Sequence, residues 1–258
     1  ALAFGVALGR VARERGAVVL RFFEGVNDTM LLLVRWILAA APLGVFALAI
    51  PIVAVTGSAA AGALATYVAV VSALTALFAL IVLYPLAVVG GRVGLGTFAR
   101  AAFPAQAVAF GSRSSLAALP AMIEGARDRL GLPRAVTGFL LPLGAAAFRA
   151  GSAVFQAVAV IFAAQVYGVA LSPTQLATIA LTTVVTTFSI PGIPGGSVLV
   201  IVPILAAVGV PEAAIGLLLG IDVIPDMFRT TANVTGTMSV ATVLGRAPAR
   251  TPAAVVAD

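Results

Sequence analysis

The chain has 258 residues, of which 62% are hydrophobic and 9% charged, and its mean hydropathy is +1.17. This composition excludes an ordinary soluble domain, in which about a quarter of the residues carry charge. Residues 36–91 and 150–211 contain no Asp, Glu, Lys or Arg, whereas a membrane-spanning helix needs only about 20 apolar residues. The composition therefore predicts an all-α, polytopic (multi-pass) protein of the lipid bilayer.

The residue types that the sequence lacks exclude several kinds of chemistry. The chain has no Cys and no His, so disulfides, thiolate nucleophiles, His-dependent serine triads and His-Glu-x-x-His zinc sites are excluded. All 15 basic residues are Arg, and the net charge is +6. Membrane topology explains these Arg residues more simply than nucleic-acid binding does. We predict no enzyme activity, no cofactor, no metal site and no nucleic-acid partner.

The apolar segments follow one another from the first residue, so the chain shows no signal peptide and is expected to be a fragment without its natural start. A basic stretch, a small-residue loop at 57–62 and further Arg clusters separate these segments. In chain order the apolar segments are 1–9, 26–55, 63–89, 101–123, 136–167, 176–208 and 211–246.

The Arg residues orient the first spans, because Lys and Arg favour the cytoplasmic side of a membrane. With Arg10–Arg21 in the cytoplasm, segment 26–55 crosses outward and segment 63–89 returns. Arg92 and Arg100 then lie inside, as the rule requires.

The next Arg cluster, Arg127–Arg134, also belongs inside. Residues 101–131 therefore cannot cross, and we predict a re-entrant hairpin that turns near residues 112–115. Segment 136–168 then crosses outward. The alternative, an ordinary kinked span, would place an Arg cluster outside the membrane.

The second charge-free run contains another predicted hairpin. Segment 211–246 must cross inward, because Arg246 and Arg250 follow it, which also makes residues 247–258 a cytoplasmic tail. Residues 173–209 then lie between two outer loops and must turn back, at the Pro-Gly-rich residues 191–196. Two hairpins that enter from opposite faces, each followed by a span, form an inverted repeat. Secondary transporters use such broken helices to surround a midplane substrate site.

Five ionisable residues fall inside the predicted membrane segments, and such residues usually mark function. Arg229 is 17 residues from both Glu212 and Arg246, or roughly 25 Å at about 1.5 Å per residue, too far to reach the interface. The five sum to +1, which suits a small anionic substrate that Arg can hold bidentately. They are Arg113, Arg149, Asp222, Asp226 and Arg229.

Structural roles remain open for several of these residues. Arg229 can instead form a structural ion pair with Asp222 or Asp226, and Arg149 can also be structural. We interpret Asp222, on the far side of Pro225, as structural. An intramembrane aspartyl protease requires two Asp across a cleft, and Asp222 and Asp226 lie on one helix with poor geometry for that role.

Several motifs together resemble the glutamate transporter family, the dicarboxylate/amino acid:cation symporters. Residues 220–222 and 226–236 resemble its eighth helix. Arg113-Ser114-Ser115, followed by Leu119-Pro120, resembles the tip of its first hairpin, and residues 191–195 resemble the tip of the second. Residues 141–144 and 41–48 resemble the seventh and fifth helices.

The resemblance implies a glutamate-transporter-like fold with two opposed re-entrant hairpins and an inverted repeat. It also implies a homotrimer in the inner (plasma) membrane that works by elevator-like alternating access, and a chain that begins near the end of the fourth span. The implied domains are residues 1–98 (end of the fourth span, fifth and sixth spans), the transport core 99–246 and the tail 247–258. The core comprises the first hairpin 101–131, the seventh span 136–168, the second hairpin 173–209 and the eighth span 211–246.

The resemblance also assigns substrate contacts by position. Arg229 would hold a side-chain carboxylate and Asp226 the α-amino group, which indicates an acidic amino acid. A C4-dicarboxylate is the alternative, with Asp226 structural or protonated. The remaining implied substrate contacts are Asn233, Thr230, Ser114, Ser115, Ser152, Ile193 and Gly195.

Three departures from the family pattern concern the coupling ion. The family's Asn-Met-Asp-Gly-Thr motif is Phe148-Arg149-Ala150-Gly151-Ser152 here, and the Asp expected after Gly236 is Thr237. The sodium ligands at Phe148, Ala150 and Thr237 are thus replaced, and a permanent cation, Arg149, has appeared.

We therefore expect Arg149 to substitute for a bound sodium ion. Transport would then be coupled to H⁺ rather than Na⁺, or would be exchange or facilitated diffusion. The alternatives are a sodium-coupled dicarboxylate symporter with altered sites, and a non-coupled exchanger or non-transporting membrane subunit.

Overall fold

The computed structural model describes residues 2–190 and 195–246, and every regular element in these ranges is a helix. The all-α prediction is therefore confirmed. The chain forms two compact units, residues 1–50 and 51–258. The first unit contains α1, Leu2–Leu8, and the start of α2, Arg13–Phe78, which contains the boundary between the units.

The second unit contains the rest of α2 and nine further α-helices in the described ranges. These are α3 (Leu95–Ser112), α4 (Leu119–Glu124), α5 (Leu141–Ala147), α6 (Ala150–Val166), α7 (Pro173–Thr186), α8 (Gly196–Leu199), α9 (Val202–Val208), α10 (Ala214–Ile221) and α11 (Val223–Arg246). Short π-helical turns occupy Ala79–Leu83, Leu86–Gly90, Gly125–Arg129 and Val136–Leu140, and a 3-10 turn occupies Thr187–Ser189.

The small-residue loop predicted at residues 57–62 is wrong, because these residues are helical within α2. Three of the six are Ala and none is Pro. Ala is the strongest helix former, so the three Ala residues favour continuing the helix through the two Gly residues at the ends of the segment.

Two helical stretches in the described part of the chain are long and apolar enough to cross a membrane, Gly62–Gly90 and Val136–Val166. They coincide with the predicted spans 63–89 and 136–168. The second stretch is interrupted at Phe148 and Arg149, whose backbones are non-helical, with φ of -95° and -129°.

Helix α11 lies at the centre of the second unit and contacts both α3 and α6. One buried cluster joins α3 and α4 to α11 through small residues and Met122, Val234 and Met238. Another joins α6 to α7, α9 and α10 through residues such as Phe155, Ile179 and Leu205. Small side chains let helix backbones approach closely, which explains how so many Ala residues are fully buried.

The helices break at four places that surround α11. Helix α3 ends before Arg113, α6 begins after Arg149, α8 begins after Gly195, and α10 ends before Asp222. The last break precedes Pro225, whose ring cannot donate a backbone hydrogen bond and restricts the preceding turn. The breaks leave backbone groups of the helix ends without helical partners.

Candidate binding site at the broken helices

The centre of the site is a buried cluster of three charged side chains, Asp222 at the end of α10 and Asp226 and Arg229 on α11. Arg229 donates from Nη1 to Oδ1 of Asp222 and from Nη2 to Oδ2, at 2.8 Å in both cases. Nη2 also donates to Oδ1 of Asp226, at 2.5 Å. The side chains of Arg229, Asp222 and Asp226 are only 1%, 6% and 4% exposed. Buried charges require such partners, because an unpaired charge in a protein interior is very unfavourable.

An aromatic ring covers one face of the same guanidinium. The central carbon of the Arg229 guanidinium lies 3.9 Å from the ring centroid of Phe155, on α6. A cation over an aromatic face is attracted by the negative face of the ring. Phe155 therefore orients the guanidinium plane and ties α6 to α11.

The second carboxylate of the pair, Asp226, links α11 to the start of α8. Its Oδ2 accepts a hydrogen bond of 3.1 Å from the backbone N–H of Gly195, and its Oδ1 accepts one of 3.3 Å from Thr230 Oγ1. Gly195 has a φ of +74°, a left-handed conformation that glycine adopts without steric cost. The glycine thus lets the chain present its N–H to the carboxylate.

One turn further along α11, Asn233 holds the beginning of α6. Its Oδ1 accepts hydrogen bonds from the backbone N–H groups of Gly151, at 2.8 Å, and Ser152, at 3.3 Å. Both N–H groups lie in the first turn of α6, where a helix leaves donors unpaired, and the Ser152 N–H also donates to the Arg149 carbonyl at 2.9 Å. A Cβ on Gly151 would lie 2.7 Å from both the Arg229 carbonyl oxygen and the Ala232 Cβ, so only glycine allows this approach.

A chain of hydroxyl and amide groups continues from Asn233 toward α7 and α8. Asn233 Nδ2 donates to Ser152 Oγ at 3.3 Å, and Ser152 Oγ lies 3.0 Å from Ser197 Oγ. Gln156 donates to the Ser197 carbonyl at 3.3 Å and accepts from Thr186 Oγ1 at 3.0 Å. The network connects Ser197, in α8, to the interior of α6.

Arg149 occupies the gap between α5 and α6. Its Nη1 donates to Ser115 Oγ at 2.7 Å, and its Nη2 donates to the carbonyl oxygens of Ala145, at 2.6 Å, and Ala146, at 3.3 Å. Those carbonyls belong to the last turn of α5, where a helix carries partial negative charge. Arg149 is 3% exposed, so a buried guanidinium satisfies the broken helix end.

The turn that carries Ser115 is conformationally strained. Arg113, the residue that ends α3, has a φ of +55°, a conformation that costs a non-glycine residue on the order of 1 kcal/mol or more. Ser114 accepts a hydrogen bond of 3.2 Å from the backbone N–H of Ala117 within the same turn. Ser115 is buried, and Arg149 thus fixes this turn from the opposite helix.

The three positions that differ from the family's sodium motif lie close together around two glycines. A Cβ on Gly236 would meet the Phe148 ring at 2.9 Å and the Ala150 Cβ at 3.6 Å, and the Thr237 side chain lies against Gly144. The Thr237 hydroxyl donates to the Asn233 carbonyl at 3.0 Å. Within residues 2–190 and 195–246, no group of three or more His, Cys, Asp and Glu side chains is arranged to hold a metal ion.

The structure thus brings most of the predicted site residues together. Arg229, Asp226 and Thr230 form one group, which Gly195 joins, and Asn233 and Ser152 form a second beside it. Ser114 and Ser115 share the turn that Arg149 fixes. Ile193 lies outside the described residues. The binding roles of all these residues stay predictions.

Sequence reasoning missed three residues of this region, and it left open the ion pair that a fourth, Asp222, forms with Arg229. Phe155, Gln156 and Ser197 were not among the candidates. Gln156 had a usable signal, because a buried amide in a charge-free segment needs partners. Asp222, interpreted as a structural residue, lies directly on Arg229.

Helices that are interrupted around buried charges are typical of membrane transport proteins. Comparison with known proteins identifies the family. A sequence model of the sodium:dicarboxylate symporter family matches residues 1–247, and the chain belongs to this family. The predicted resemblance is therefore confirmed. The family and the relatives below are transporters, not enzymes, which agrees with the prediction of no enzyme activity.

Named relatives give the extent of the match. The chain is 34% identical over 235 residues to a proton/sodium-glutamate symport protein of Bacillus subtilis, covering 90% of this chain and 54% of that protein. It is 35% identical over 238 residues to the neutral amino acid transporter B(0) of Mus musculus, covering 92% of this chain and 43% of that protein. It is 34% identical over 235 residues to a proton/glutamate-aspartate symporter of Escherichia coli, covering 90% of this chain and 53% of that protein. The chain thus spans about half the length of these relatives.

Proposed function

We propose that the chain forms the substrate pathway of a secondary transporter for an acidic amino acid or a C4-dicarboxylate. The observation that carries the proposal is the buried Arg229, whose two Nη atoms hold both oxygens of one carboxylate at 2.8 Å. A substrate carboxylate needs the same planar, two-point contact. The membership in a symporter family supports transport as the activity.

The proposal includes the family's architecture. Residues 101–131 and 173–209 would be re-entrant hairpins of an inverted repeat, and the core 99–246 would move as an elevator within a homotrimer of the plasma membrane. The packing of α3 on α4 and of α7 on α9 supports hairpins at these places. The C-terminus would be cytoplasmic, as the Arg distribution predicts.

Two substrate classes have separate support. Asp226 beside Arg229 suits the ammonium group of aspartate or glutamate, and relatives are named for glutamate and aspartate. The family, however, is named for dicarboxylates. Asp226 already accepts hydrogen bonds from Arg229, Gly195 and Thr230, which suits a dicarboxylate because Asp226 then needs no ligand partner.

We further propose that transport does not depend on sodium. The guanidinium of Arg149 donates to the carbonyls at the end of α5, the kind of helix end that coordinates Na⁺ in transporters with broken helices. Phe148, Ala150 and Thr237 offer no carboxylate nearby. A tethered cation would thus supply the fixed positive charge.

Uptake by the full natural protein in proteoliposomes tests these proposals. Labelled aspartate and succinate are compared as substrates, each with the other as competitor, in sodium and in choline medium. We expect uptake of at least one that is unchanged in choline and lost in Arg229→Ala, whereas exposed Arg100→Lys serves as the control. Full dependence on a sodium gradient would overturn the coupling proposal. Absence of both binding and uptake would instead indicate a non-transporting subunit.

A further inference from the structure

Asp222 and a substrate carboxylate cannot both contact Nη1 and Nη2 of Arg229 at the same time. Both Nη atoms already donate to the two oxygens of Asp222, at 2.8 Å each, and Nη2 also serves Asp226. The Phe155 ring covers one face of the group. A substrate carboxylate can therefore take the end-on contact with Nη1 and Nη2, the edge that Asp222 occupies, only if Asp222 leaves it.

The surroundings of Asp222 decide what happens when it is displaced. Its charged neighbours are Arg229, which donates to both of its oxygens, then Asp226 of α11 and Arg113 at the end of α3. Asp222 is 5% exposed. Once Arg229 holds the substrate, an ionised Asp222 would be a buried charge beside two further carboxylates, which is strongly unfavourable.

We propose that Asp222 is the proton-binding site of the transporter and that substrate and proton bind together. An ionised Asp222 holds Arg229 until the substrate carboxylate takes its place, and a proton from solution then forms an O–H bond with Asp222. The negative charge of the one carboxylate that replaces Asp222 is balanced by that proton, so the charge beside Arg229 stays constant. The inference rests on the proposed function and names its coupling ion.

The hydroxyl of Tyr67, on α2, is the partner that the proposal assigns to the displaced carboxyl group. The Tyr67 hydroxyl is buried and makes no hydrogen bond to any described residue, and it lies within electrostatic range of both Asp222 and Arg229. A buried hydroxyl without a partner is unfavourable by about 1–3 kcal/mol. Pairing with the protonated Asp222 would remove this deficit, so Tyr67 would stabilise the substrate-bound arrangement.

The test measures proton uptake on binding by the full natural protein, purified in weakly buffered detergent with a pH indicator dye. Addition of aspartate or succinate to the wild type should take up one proton per bound substrate. Asp222→Asn keeps the shape of the side chain but cannot ionise. It should bind substrate on the order of tenfold tighter, since nothing competes for Arg229, and should take up no proton.

The matched variant is Asp226→Asn, which should bind substrate more weakly yet keep the proton uptake. Wild-type binding without proton uptake would overturn the inference and leave the proposed function intact, and it needs no variant to fold. Weaker binding by Asp222→Asn with uptake retained would also overturn it, because Asp222 would then only orient Arg229. Failure of the wild type to bind either substrate would sink the proposed function itself.

Discussion

Arg149 and Ser115 join two interrupted segments of the chain through one hydrogen bond of 2.7 Å between Nη1 and Oγ. Ser115 lies in the strained turn that follows α3, and Arg149 lies in the gap between α5 and α6. The same guanidinium also satisfies carbonyls at the end of α5. A side chain therefore satisfies this helix end, and the proposed function gives it the place of a small cation.

Replacing Arg149 by Met should weaken substrate binding at least tenfold. The variant leaves the carbonyls of Ala145 and Ala146 and the hydroxyl of Ser115 without their donor, each at a cost of about 1–3 kcal/mol. Isothermal titration with aspartate and succinate, in sodium and in choline buffer, measures the effect. Sodium should not restore binding, since Phe148, Ala150 and Thr237 supply no carboxylate. Unchanged affinity would show that Arg149 only fills space.

Restoring the family's ligands should create a dependence on sodium. The combined variant Phe148→Asn, Arg149→Met, Ala150→Asp and Thr237→Asp places two carboxylates and an amide where the structure now has an aromatic ring, a methyl group and a hydroxyl. Sodium prefers oxygen ligands whose charge offsets its own. We expect substrate affinity to rise with sodium concentration in this variant and to stay flat in the wild type. A variant that folds and binds substrate equally in choline would contradict the assignment.

The elements that the sequence predicted well are those with a strong local signal. Arg229, which the spacing of charges placed far from either interface, is buried in the structure, and α3 ends at Ser112, within the residues 112–115 where a turn was predicted. The contact of Phe155 with Arg229 could not be predicted, because an aromatic residue in an apolar span has no pattern of its own. Residues 57–62, predicted as a loop, are helical, because a segment of Ala and Gly has no strong local signal and suits both a loop and a helix.

The two-point contact between Asp222 and Arg229 depends on how the helices pack and could not be predicted from the spacing of the two residues in the sequence. The sequence placed both on one segment, seven residues apart, or about two helical turns. It also suggested a structural ion pair for Arg229 with either Asp. The bidentate geometry arises because α10 ends at Asp222 while the long Arg side chain reaches back toward that break, and no spacing rule specifies this.

Arg229→Lys should reduce substrate affinity by on the order of a hundredfold although it conserves the charge. A lysine ammonium cannot make two parallel contacts with one carboxylate, and it hydrates more strongly than a guanidinium. Binding is measured by titration and folding by size-exclusion profile, with Arg100→Lys on the exposed surface as the matched control. Equal affinity in Arg229→Lys would show that the substrate requires only a positive charge there.

Phe155→Leu should weaken binding by a few fold and leave proton uptake in place. The substitution conserves an apolar side chain among the residues packed on α6 but removes the ring that lies 3.9 Å from the Arg229 guanidinium. Cation–π contacts contribute about 0.5–2 kcal/mol according to their burial. Phe155→Tyr, which keeps the ring, is the control for aromatic character. If Leu and Tyr behave alike, the ring acts only by filling volume.

Gly151→Ala should both destabilise the fold and disturb the site, because the new methyl group meets backbone rather than a flexible side chain. Its Cβ would lie 2.7 Å from the Arg229 carbonyl oxygen and from the Ala232 Cβ, forcing α6 away from α11. Such overpacking costs about 1–3 kcal/mol, and it would also lengthen the hydrogen bonds that Asn233 Oδ1 accepts from Gly151 and Ser152. Thermal unfolding in detergent should show a lower midpoint. Gly96→Ala, at a helical glycine with no atom within 4 Å of the added methyl group, should leave the midpoint unchanged or raise it, because Ala favours helix. Equal midpoints for Gly151→Ala and the wild type would mean that α6 can shift without cost.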